Sequence, residues 1–325
     1  MRLLVTGGCG FIGSSFIRYV GREHADYRIT NLDAITYAGN PENLRGIERV
    51  LDYSFVRGRV EDRSVVERLV SEAEAVVHFA AESHVDRSIR DAAPFVTTNV
   101  LGTQVLLEAS RRARLGRFVH VSTDEVYGAL GEEGVFSEGT PFAPRSPYAA
   151  SKAAADLLAL SYHHTHGLPV SVVRPSNNYG PRQLPEKLIP LAVTNLIEGR
   201  PVPVYGDGRN VREWLFVEDC CRAIDAVLHR GRPGEAYNIG SACERRNIDV
   251  VREILAMLGK GEDCIEFVSD RPGHDFRYAL ASDKVKRELG WEPRTDFSTG
   301  LRSVVDWYRD NADWWKPLKA RLGRG

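Results

Sequence analysis

The sequence has no apolar run of the roughly 18 residues that a membrane-spanning helix requires. Met1 leads almost directly into the short apolar segment 3–5, and no hydrophobic region of a secretory signal peptide is present. Charge of one sign is not in excess either, because 43 Lys and Arg face 44 Asp and Glu. The overall charge therefore favours binding to neither nucleic acid nor a membrane surface, and we expect a cytoplasmic protein.

Cysteine is scarce, and its pattern excludes two further classes of protein. The number is odd, no CxxC spacing occurs, and the positions are scattered: Cys9, Cys220, Cys221, Cys243 and Cys264. This argues against a disulfide framework and against a cysteine zinc site. His163, His164 and His166 cluster on a predicted helix but lack a carboxylate at a suitable spacing, so we predict no metal site.

Short β-branched apolar segments alternate with helical segments over the first half of the chain, which is typical of a parallel sheet with crossover helices. Segments 75–80 and 118–121 are almost continuously apolar, as expected for strands buried on both faces. The fold class is therefore α/β, a Rossmann-type doubly wound parallel sheet. Strands are predicted at 2–6, 28–33, 53–57, 75–80, 117–122 and 170–174, and helices at 11–24, 62–72, 92–114 and 147–166.

A glycine-rich loop joins the first predicted strand to the first predicted helix, with the sequence GGCGFIG at 7–13. Glycines allow a tight turn and bring backbone N–H groups close to a pyrophosphate, while the helix N-terminus adds partial positive charge. Asp33 closes the second strand, where a carboxylate accepts hydrogen bonds from the adenosine ribose and repels a 2′-phosphate. This context predicts NAD rather than NADP as the cofactor.

The length and the later composition indicate two lobes. At 325 residues the chain exceeds the roughly 250 to 300 at which a single core stops growing. We assign 1–175 to an NAD-binding Rossmann domain and 176–325, which is rich in Pro and Gly turns, mainly to a smaller α/β substrate-binding lobe. The lobe is discontinuous, because 210–245 returns in part to the first domain through a predicted strand at 235–240. The aromatic pairs at 307–308 and 314–315 are interpreted as packing surface.

Tyr148 and Lys152 are four residues apart in an alanine-rich segment, so both side chains project from one face of a predicted helix. A nearby ammonium group favours the phenolate form of a tyrosine. Tyr148 can then take the proton of a sugar hydroxyl while a hydride leaves the same carbon, and Thr123 can donate a hydrogen bond to that hydroxyl. The pair is a candidate oxidation site.

Asp124 and Glu125 follow the strand predicted at 117–122, at the edge of the sheet where open α/β folds bind their ligands. A dehydration needs a base for a carbon-bound proton and an acid for the departing oxygen. Two adjacent carboxyl groups supply both when one is protonated and the other ionised. Asp124 and Glu125 are the candidates for these roles.

Nine segments that together span most of the chain resemble dTDP-glucose 4,6-dehydratases of the extended short-chain dehydrogenase/reductase type. They are TGGCGFIG (6–13), TYAGN (36–40), HFAAESHVD (78–86), STDEVYG (122–128), SPYAASK (146–152), NNYGP (177–181), PEKLIP (185–190), VREW (211–214) and DRPGHD (270–275). The most discriminating is Thr123-Asp124-Glu125, because sugar-nucleotide epimerases that share the glycine loop and YxxxK usually lack the acidic pair.

The resemblance implies a lyase that uses NAD catalytically. Tyr148, assisted by Thr123 and Lys152, oxidises C4 of the glucosyl unit of dTDP-glucose. Glu125 removes the C5 proton, and Asp124 protonates the C6 hydroxyl so that water departs. Hydride then returns to C6, which gives dTDP-4-keto-6-deoxyglucose, a starting compound for deoxysugar biosynthesis.

The resemblance also implies binding residues and an assembly state. Cofactor contacts would come from Gly7, Gly10, Phe11, Ile12, Gly13, Asp33, Ala80, Ala81, Tyr148 and Lys152. Substrate contacts would come from Ser83, Asn177, Lys187, Leu188, Pro203, Tyr205, Arg212, Asn247, Arg271, His274 and Tyr278, where the two arginines suit a pyrophosphate. Members of this family are usually homodimers, here pairing helices 92–114 and 147–166 of each copy.

The chain departs from the family pattern at one cofactor position. Where the family commonly has Gly-Asp-Ile, with the aspartate accepting from the adenine amine, this sequence has Gly58-Arg59-Val60. Arginine cannot accept that hydrogen bond. The nearby Asp62 is not taken as its substitute.

Two other functions are open from the sequence. One is a nucleotide-sugar 4-epimerase or decarboxylase of the same fold, which would use Tyr148 and NAD but would need no proton from C5. The other is a non-catalytic NAD-sensing or scaffolding protein. The presence of Tyr148, Lys152, Asp124 and Glu125 together argues against the second.

Overall fold

The computed structural model describes residues 1–270 and 272–322. Its strands are β1 (Arg2–Thr6), β2 (Arg28–Asp33), β3 (Asp52–Arg57), β4 (Ala75–His78), β5 (Arg117–Val121), β6 (Val170–Pro175), β7 (Asn177–Tyr179), β8 (Val202–Tyr205), β9 (Val211–Phe216), β10 (Ala236–Ile239), β11 (Glu244–Arg246) and β12 (Ile265–Val268). Its helices are α1 (Phe11–Glu23), α2 (Arg63–Glu72), α3 (Val85–Arg90), α4 (Ala93–Phe95), α5 (Thr103–Arg112), α6 (Pro147–His166), α7 (Leu188–Ile197), α8 (Val217–Arg230), α9 (Asn247–Leu258), α10 (Asp283–Leu289), α11 (Phe297–Asp310) and α12 (Ala312–Leu322). Among these helices, none is long and apolar enough to cross a membrane.

Seven parallel strands form the main sheet, in the order β10-β6-β5-β4-β1-β2-β3. Every residue of β4 and β6 is buried, which explains why these segments are mostly apolar. The strand order reverses between β1 and β4, and such a reversal opens a crevice beyond the carboxyl ends of the strands. The predicted parallel sheet is confirmed, although β4 and β5 end one or two residues earlier than predicted.

The long helix predicted at 92–114 is present but irregular. Between α4 and α5 the backbone forms a wide π-helical turn over Val96–Gly102. The Asn99 side chain in this turn accepts from the backbone N–H of Glu82 at 2.8 Å and donates to its carbonyl oxygen at 3.0 Å. Its amide also donates to the Ser151 hydroxyl of α6 at 2.8 Å. Periodicity alone predicts a regular helix here. It cannot reveal the π-helical turn, because residues distant in sequence stabilise that turn.

Helix α6 begins and ends at residues that favour helix termini. Ser146 accepts a hydrogen bond from the backbone N–H of Ala149, Pro147 occupies the first turn, and Gly167 ends the helix with a left-handed φ of 68°. These signals fix the bounds of the helix within the chain. Tyr148 and Lys152 are therefore held on the first two turns, at the edge of the sheet.

The second lobe has its own small sheets and apolar core. The strand order is β11-β9-β7 in one sheet, and β12 pairs with β8 in the other. The core packs α7, α9 and α11 around the aromatic end of the chain, where Tyr308 and Trp315 are fully buried, so the packing role predicted for these two residues is confirmed. Between these elements the chain returns to the main sheet as β10, which pairs with β6.

Candidate active site

A cleft of about 320 Å³ lies at the carboxyl ends of β1, β2, β4, β5 and β6. Two glycines shape its floor. Gly7 has a φ of 73°, and a Cβ atom on it would lie 2.6 Å from the backbone nitrogen of Ala80. A Cβ on Gly13 would lie 2.3 Å from the carbonyl oxygen of Gly7. Only glycine allows this turn and this close approach of helix to strand, so the loop exposes its backbone to a ligand.

Asp33 stands at the end of β2 beside this loop. Its Oδ2 accepts from the backbone N–H of Cys9 and its Oδ1 from that of Ile35, both at 2.8 Å. Burial raises the pKa of Asp33, and these two hydrogen bonds oppose the rise. The bonds also fix the carboxylate in the cleft, where it has further lone pairs for the hydroxyls of a ribose.

Arg59 lines the same end of the cleft, with its side chain 62% exposed and 3.3 Å from Glu61. The Glu61 carboxylate also lines the cleft and is only 18% exposed. Sequence reasoning missed Glu61, which offers the acceptor that Arg59 lacks. Asp62 instead accepts from the backbone N–H groups of Ser64 and Val65 as the N-cap of α2, so it is a helix cap.

The acidic pair lies in a single 3₁₀ turn, Asp124–Tyr127, directly after β5. Thr123 caps this turn by accepting from the backbone N–H of Glu125 at 3.3 Å, and its hydroxyl donates to Asp124 Oδ1 at 3.2 Å. The other oxygen of Asp124, Oδ2, is buried and has no hydrogen-bond partner among the described residues.

The electrostatics of the turn favour a neutral Asp124. The residue is 2% exposed, and burial is the largest reason that its pKa stands well above the usual value. The neighbouring carboxyl groups of Glu125 and Glu213 raise the pKa further, whereas Arg212 lowers it. A buried aspartic acid whose pKa is raised holds its proton to higher pH than usual, which suits it to be a proton donor.

Tyr148 faces this turn from the start of α6, and its hydroxyl is hydrogen-bonded to Thr123. Burial and the charges of Glu125 and Asp124 raise the pKa of Tyr148, while the Thr123 bond lowers it. Lys152 lies one turn further along, and its ammonium group donates to the carbonyl oxygen of Val121 at 2.7 Å. The ammonium that we expected to favour the phenolate is thus held by the end of β5.

The pKa of Lys152 itself falls to about 8, because burial disfavours its charge, and Asp156 opposes the fall. Asp156 lies one helical turn after Lys152 and bonds Arg174 Nε at 2.8 Å. Arg174 also donates to the hydroxyl of Tyr127 at 2.7 Å, and Tyr127 donates to Asn238 at 2.7 Å. This buried chain of hydrogen bonds connects the helix of Tyr148 to the turn of Asp124.

The structure brings every residue of the predicted cofactor and catalytic sites into this one cleft. Its lining contains Gly7, Gly10, Phe11, Ile12, Gly13, Asp33, Ala80, Ala81, Thr123, Asp124, Glu125, Tyr148 and Lys152. Three of the predicted substrate residues also line it, namely Ser83, Asn177 and Lys187. Lys187 donates to the carbonyl oxygen of Ser83 at 3.4 Å, which joins the two lobes across the opening.

The other predicted substrate residues lie in the second lobe. The Arg212 guanidinium donates to the carbonyl oxygens of Val211 at 2.8 Å and Asp275 at 3.0 Å. It also lies 4.6 Å from the ring centre of Tyr278. The positive charge of Arg212 lowers the pKa of Asp124. The guanidinium therefore lies close enough to the acidic turn to influence it electrostatically.

The remaining residues of the predicted set are spread around this lobe. Tyr205 of β8 packs edge-on against the His274 ring, with centroids 6.1 Å apart, and Pro203 precedes it on the same strand. Leu188 begins α7, and Asn247 begins α9 with a buried Oδ1 that no described group bonds. Arg271 falls outside the described residues.

Sequence reasoning also missed Arg182, which brings a cation into the cleft. Its backbone has a φ of 67°, uncommon for a residue with a side chain, and its guanidinium lies 5.4 Å from the Trp307 ring centre. Burial lowers its pKa to about 10, so it stays charged at neutral pH. The only sequence signal was its place directly after the NNYGP motif. Glu82, Glu186 and Trp314 line the cleft as well.

A doubly wound parallel sheet, a glycine turn with a ribose-binding carboxylate, and a buried Tyr-Lys pair together define a class of protein. That class is the dinucleotide-dependent enzymes of the extended short-chain dehydrogenase/reductase type.

The comparisons with known proteins narrow the class to a family. A family model described as GDP-mannose 4,6 dehydratase matches residues 4–304. A dTDP-glucose 4,6-dehydratase of Streptomyces niveus is 56% identical over 324 residues, covering 98% of this chain and 96% of that protein. One of Streptomyces antibioticus is 55% identical, covering 99% and 96%. The chain belongs to the dTDP-glucose 4,6-dehydratase family.

Solved structures show the same relationship. A dTDP-glucose 4,6-dehydratase from Streptomyces venezuelae, with NAD and TYD bound, superposes with a TM-score of 0.96 at 50% identity, covering 98% of this chain and all of that one. A UDP-glucose 4-epimerase from Thermotoga maritima superposes with a TM-score of 0.89 at 30% identity, covering 96% of this chain and all of that one. The dehydratase and the epimerase share this fold, so only the residues of the active site can separate the two activities.

Proposed function

We propose that the protein is a dTDP-glucose 4,6-dehydratase, a lyase that uses NAD catalytically and forms dTDP-4-keto-6-deoxyglucose. The single observation that carries this proposal is the acidic turn, in which a buried Asp124 with a raised pKa lies next to Glu125 and opposite Tyr148. An epimerase has no need for a proton donor at C6. The relatives named dTDP-glucose 4,6-dehydratase support the same substrate.

The cleft fits NAD as the cofactor. The glycine turn leaves room that any Cβ atom would fill, and Asp33 presents a fixed carboxylate where a 2′-phosphate would be repelled. Arg182 offers a cation for the pyrophosphate, and Glu61 offers an acceptor for the adenine amine. NAD, when bound, supplies the acceptor for the C4 hydride and its later donor for C6.

In the first stage, Tyr148 accepts the proton of the C4 hydroxyl. Thr123 orients the tyrosine, because its hydroxyl is bonded to that of Tyr148. Lys152 is held one turn away by Val121, so its charge stays beside the reacting groups. A buried tyrosine holds its proton tightly, and the hydrogen bond to Thr123 lowers the pKa of Tyr148 against the effect of burial.

In the second stage, the C4 ketone acidifies the proton at C5. Glu125 removes this proton, and Asp124 donates its own proton to the C6 oxygen, which departs as water. The two carboxyl groups are adjacent in the chain but unlike in burial, since Asp124 is buried and Glu125 is partly exposed. Their placement in one rigid turn keeps acid and base on the same hexose.

The proposal is tested by incubating the purified protein with dTDP-glucose and no added NAD. We expect the alkali-induced absorbance of a 4-keto-6-deoxy sugar to appear, because the cofactor is retained through each turnover. A product that keeps its C6 oxygen would contradict the proposal. A protein that binds NAD but leaves dTDP-glucose unchanged would instead be the sensor considered above.

Glu125→Gln separates the dehydratase from the epimerase. The variant keeps the size of the side chain but cannot take a proton from C5. Loss of turnover with dTDP-glucose supports the elimination, whereas unchanged conversion at C4 alone would indicate epimerisation.

We propose further that the protein is a cytoplasmic homodimer. Three large apolar side chains are exposed along the predicted interface helices, with Val96 at 55%, Leu101 at 45% and Leu157 at 60%. Exposed large apolar side chains favour association. Leu157→Glu should shift the mass measured by light scattering from dimer to monomer, and an unchanged mass would place the interface elsewhere.

A further inference from the structure

A cluster of metal-ligand side chains lies outside the cleft, where α1 and α8 end side by side. His24 directly follows α1, and Asp225 and His229 are one turn apart on α8. The Nε2 atom of His24 is 3.0 and 3.2 Å from the two oxygens of Asp225. The Nδ1 atom of His229 is 3.2 Å from Asp225 Oδ1. The candidate ligand atoms of all three residues lie within 4.8 Å of one another.

These separations suit a metal ion as well as an ion pair. Zinc lies about 2.0 to 2.2 Å from nitrogen and oxygen ligands, which sets neighbouring ligand atoms roughly 3 to 3.5 Å apart. The observed distances of 3.0 and 3.2 Å fall in that range. Two of the three separations between ligand atoms therefore already suit an ion, and the third is no more than 4.8 Å.

A second layer of contacts orients the two imidazole rings. The Tyr27 hydroxyl contacts Nε2 of His229, and the Tyr27 ring stacks on that of His24 with centroids 4.6 Å apart. A histidine that binds metal through one nitrogen usually donates its other N–H to an acceptor, which fixes the tautomer. Nδ1 of His229 is also 2.8 Å from the backbone carbonyl oxygen of Asp225, so binding a metal through Nδ1 requires this hydrogen bond to break and the ring proton to move to Nε2, which faces the Tyr27 hydroxyl.

The cluster opens to solvent through a pocket of about 390 Å³, so an ion and its remaining water ligands can enter. The carboxyl ends of α1 and α8 meet there, and helix C-termini carry partial negative charge. The pocket also contains Glu23 and the cations Arg222, Arg230 and Arg294. Arg222 is already bonded to Asp219 at 2.6 Å and to the carbonyl oxygen of Glu292 at 2.8 Å, so it is directed away from the cluster.

We propose that His24, Asp225 and His229 bind one divalent transition-metal ion, and that zinc is the ion they suit. Two imidazoles and one carboxylate match zinc, while magnesium and calcium prefer oxygen ligands throughout. The ion would tie the end of the cofactor-binding helix α1 to α8. Sequence spacing could not reveal the site, because His24 and Asp225 are 201 residues apart.

The test uses the full-length protein with its cofactor, treated with a chelator and then titrated with zinc chloride in a calorimeter. We expect one zinc ion per chain in the wild type and none at this site in His24→Gln/His229→Gln. Tyr27→Phe should weaken binding roughly tenfold, as loss of a partner to a ligating histidine does. The matched control is His163→Gln/His164→Gln, which should bind zinc like the wild type.

Cobalt provides a second readout that does not depend on calorimetry. We expect a visible absorption band of protein-bound cobalt in the wild type and in the control, but not in the His24→Gln/His229→Gln variant. Equal zinc stoichiometry and affinity in the wild type and that variant would overturn the proposal. Failure of the wild type to bind either ion would overturn it as well, and would leave the cluster as an ion pair only. Both results are independent of turnover with dTDP-glucose.

Discussion

Two buried aspartates of the Rossmann domain have pKa values shifted in opposite directions, and their neighbours explain the difference. Asp124 and Asp156 are 2% and 0% exposed. Burial raises the pKa of each, yet the pKa of Asp124 ends well above the ordinary value and that of Asp156 ends below it. The difference lies in their neighbours.

Around Asp156 the neighbours are cationic or donate hydrogen bonds. Arg174 is 2.8 Å from one of its oxygens and His120 is 3.3 Å from the other. Around Asp124 they are mainly acidic, since Glu125 and Glu213 outweigh Arg212. Burial alone therefore does not decide whether a carboxyl group is charged. The neighbouring groups decide, and they suit Asp124 to act as an acid and Asp156 to remain a fixed charge.

The largest expected effect is on turnover. Asp124→Asn keeps the shape of the side chain but has no proton to give to the C6 oxygen. We expect the rate of formation of the 4-keto-6-deoxy product to fall roughly 10²- to 10⁴-fold, the usual contribution of a general acid. Asp62→Asn, which preserves a helix cap, is the matched control and should retain full activity. A comparable rate in Asp124→Asn would show that the acid lies elsewhere.

The next effect is on stability. Arg174→Met leaves Asp156 charged, buried and without its main partner, which typically costs about 3 to 5 kcal/mol of unfolding free energy. Chemical denaturation measures the loss. The double variant Arg174→Met/Asp156→Asn should recover much of it, because the uncompensated charge is gone. If both variants were equally unstable, packing rather than charge would account for the effect.

The pH dependence of stability should have opposite sign at the two sites. Asp124 is protonated in the folded state above its ordinary pKa of 3.8, so its contribution to stability falls as the pH rises from 3.8 to its raised pKa. The contribution of Asp156 is complete above 3.8 and is lost as the pH falls through its lowered pKa. When the pKa of a group differs by one unit between the folded and the unfolded protein, its contribution to the unfolding free energy changes by about 1.4 kcal/mol.

Unfolding free energies of wild type, Asp124→Asn and Asp156→Asn across this pH range test these signs. We expect the Asp124→Asn protein to lose less stability than the wild type as the pH rises above 3.8. The Asp156→Asn protein should lose less than the wild type below that pH. If the unfolding free energies of all three proteins changed with pH in the same way, the opposite pKa shifts of Asp124 and Asp156 would be contradicted.

A smaller effect is expected at Tyr127, which joins the two regions. Its hydroxyl bonds Arg174 and Asn238, and its backbone ends the turn of Asp124 and Glu125. Tyr127→Phe leaves two buried groups without this partner, at a cost of about 1 to 3 kcal/mol. We expect kcat to fall while KM is unchanged, because the acidic turn loses its alignment.

Tyr237→Phe is the matched control for that variant. Tyr237 is equally buried, but its hydroxyl bonds the backbone of Arg232 and the carboxylate of Glu288, away from the cleft. The control should lose stability without losing kcat. An equal loss of kcat in both variants would indicate a general effect of stability on activity.

The smallest effect is expected for an exposed ion pair. Arg59 and Glu61 are paired at the rim of the cleft, and such surface pairs contribute at most about 1 kcal/mol to stability. Arg59→Asp adds a second acceptor beside Glu61 for the adenine amine, so we expect NAD to dissociate about two- to tenfold more slowly, the value of one hydrogen bond. Arg59→Ala, which adds no acceptor, should not show the same gain.

The parts of the protein that depend on short segments were predictable from the sequence. The strand alternation, the GGCGFIG turn and the caps of α6 at Ser146 and Gly167 each depend on neighbouring residues. The acidic pair and the Tyr-Lys pair were also found, because each lies within one turn of backbone. Residues so close in sequence must be close in space.

The features that the sequence could not show depend on contacts between distant segments. Asp156 and Arg174 belong to different elements, and Tyr127 meets Asn238 across 111 residues. The π-helical turn at Asn99 depends on Ser151 in α6. For the same reason the sequence could suggest a protonated Asp124 but could not establish its raised pKa, since Glu213 and Arg212 come from the second half of the chain.

The most direct test of the proposed elimination follows the hydrogen at C4 of the sugar. The protein is incubated with dTDP-glucose carrying deuterium at C4, and the product is analysed by NMR spectroscopy. Because oxidation at C4, loss of water and return of hydride to C6 occur in one cleft, we predict that the deuterium is found at C6 of the product. Deuterium that remains at C4, or that returns there with inverted configuration, would contradict the account.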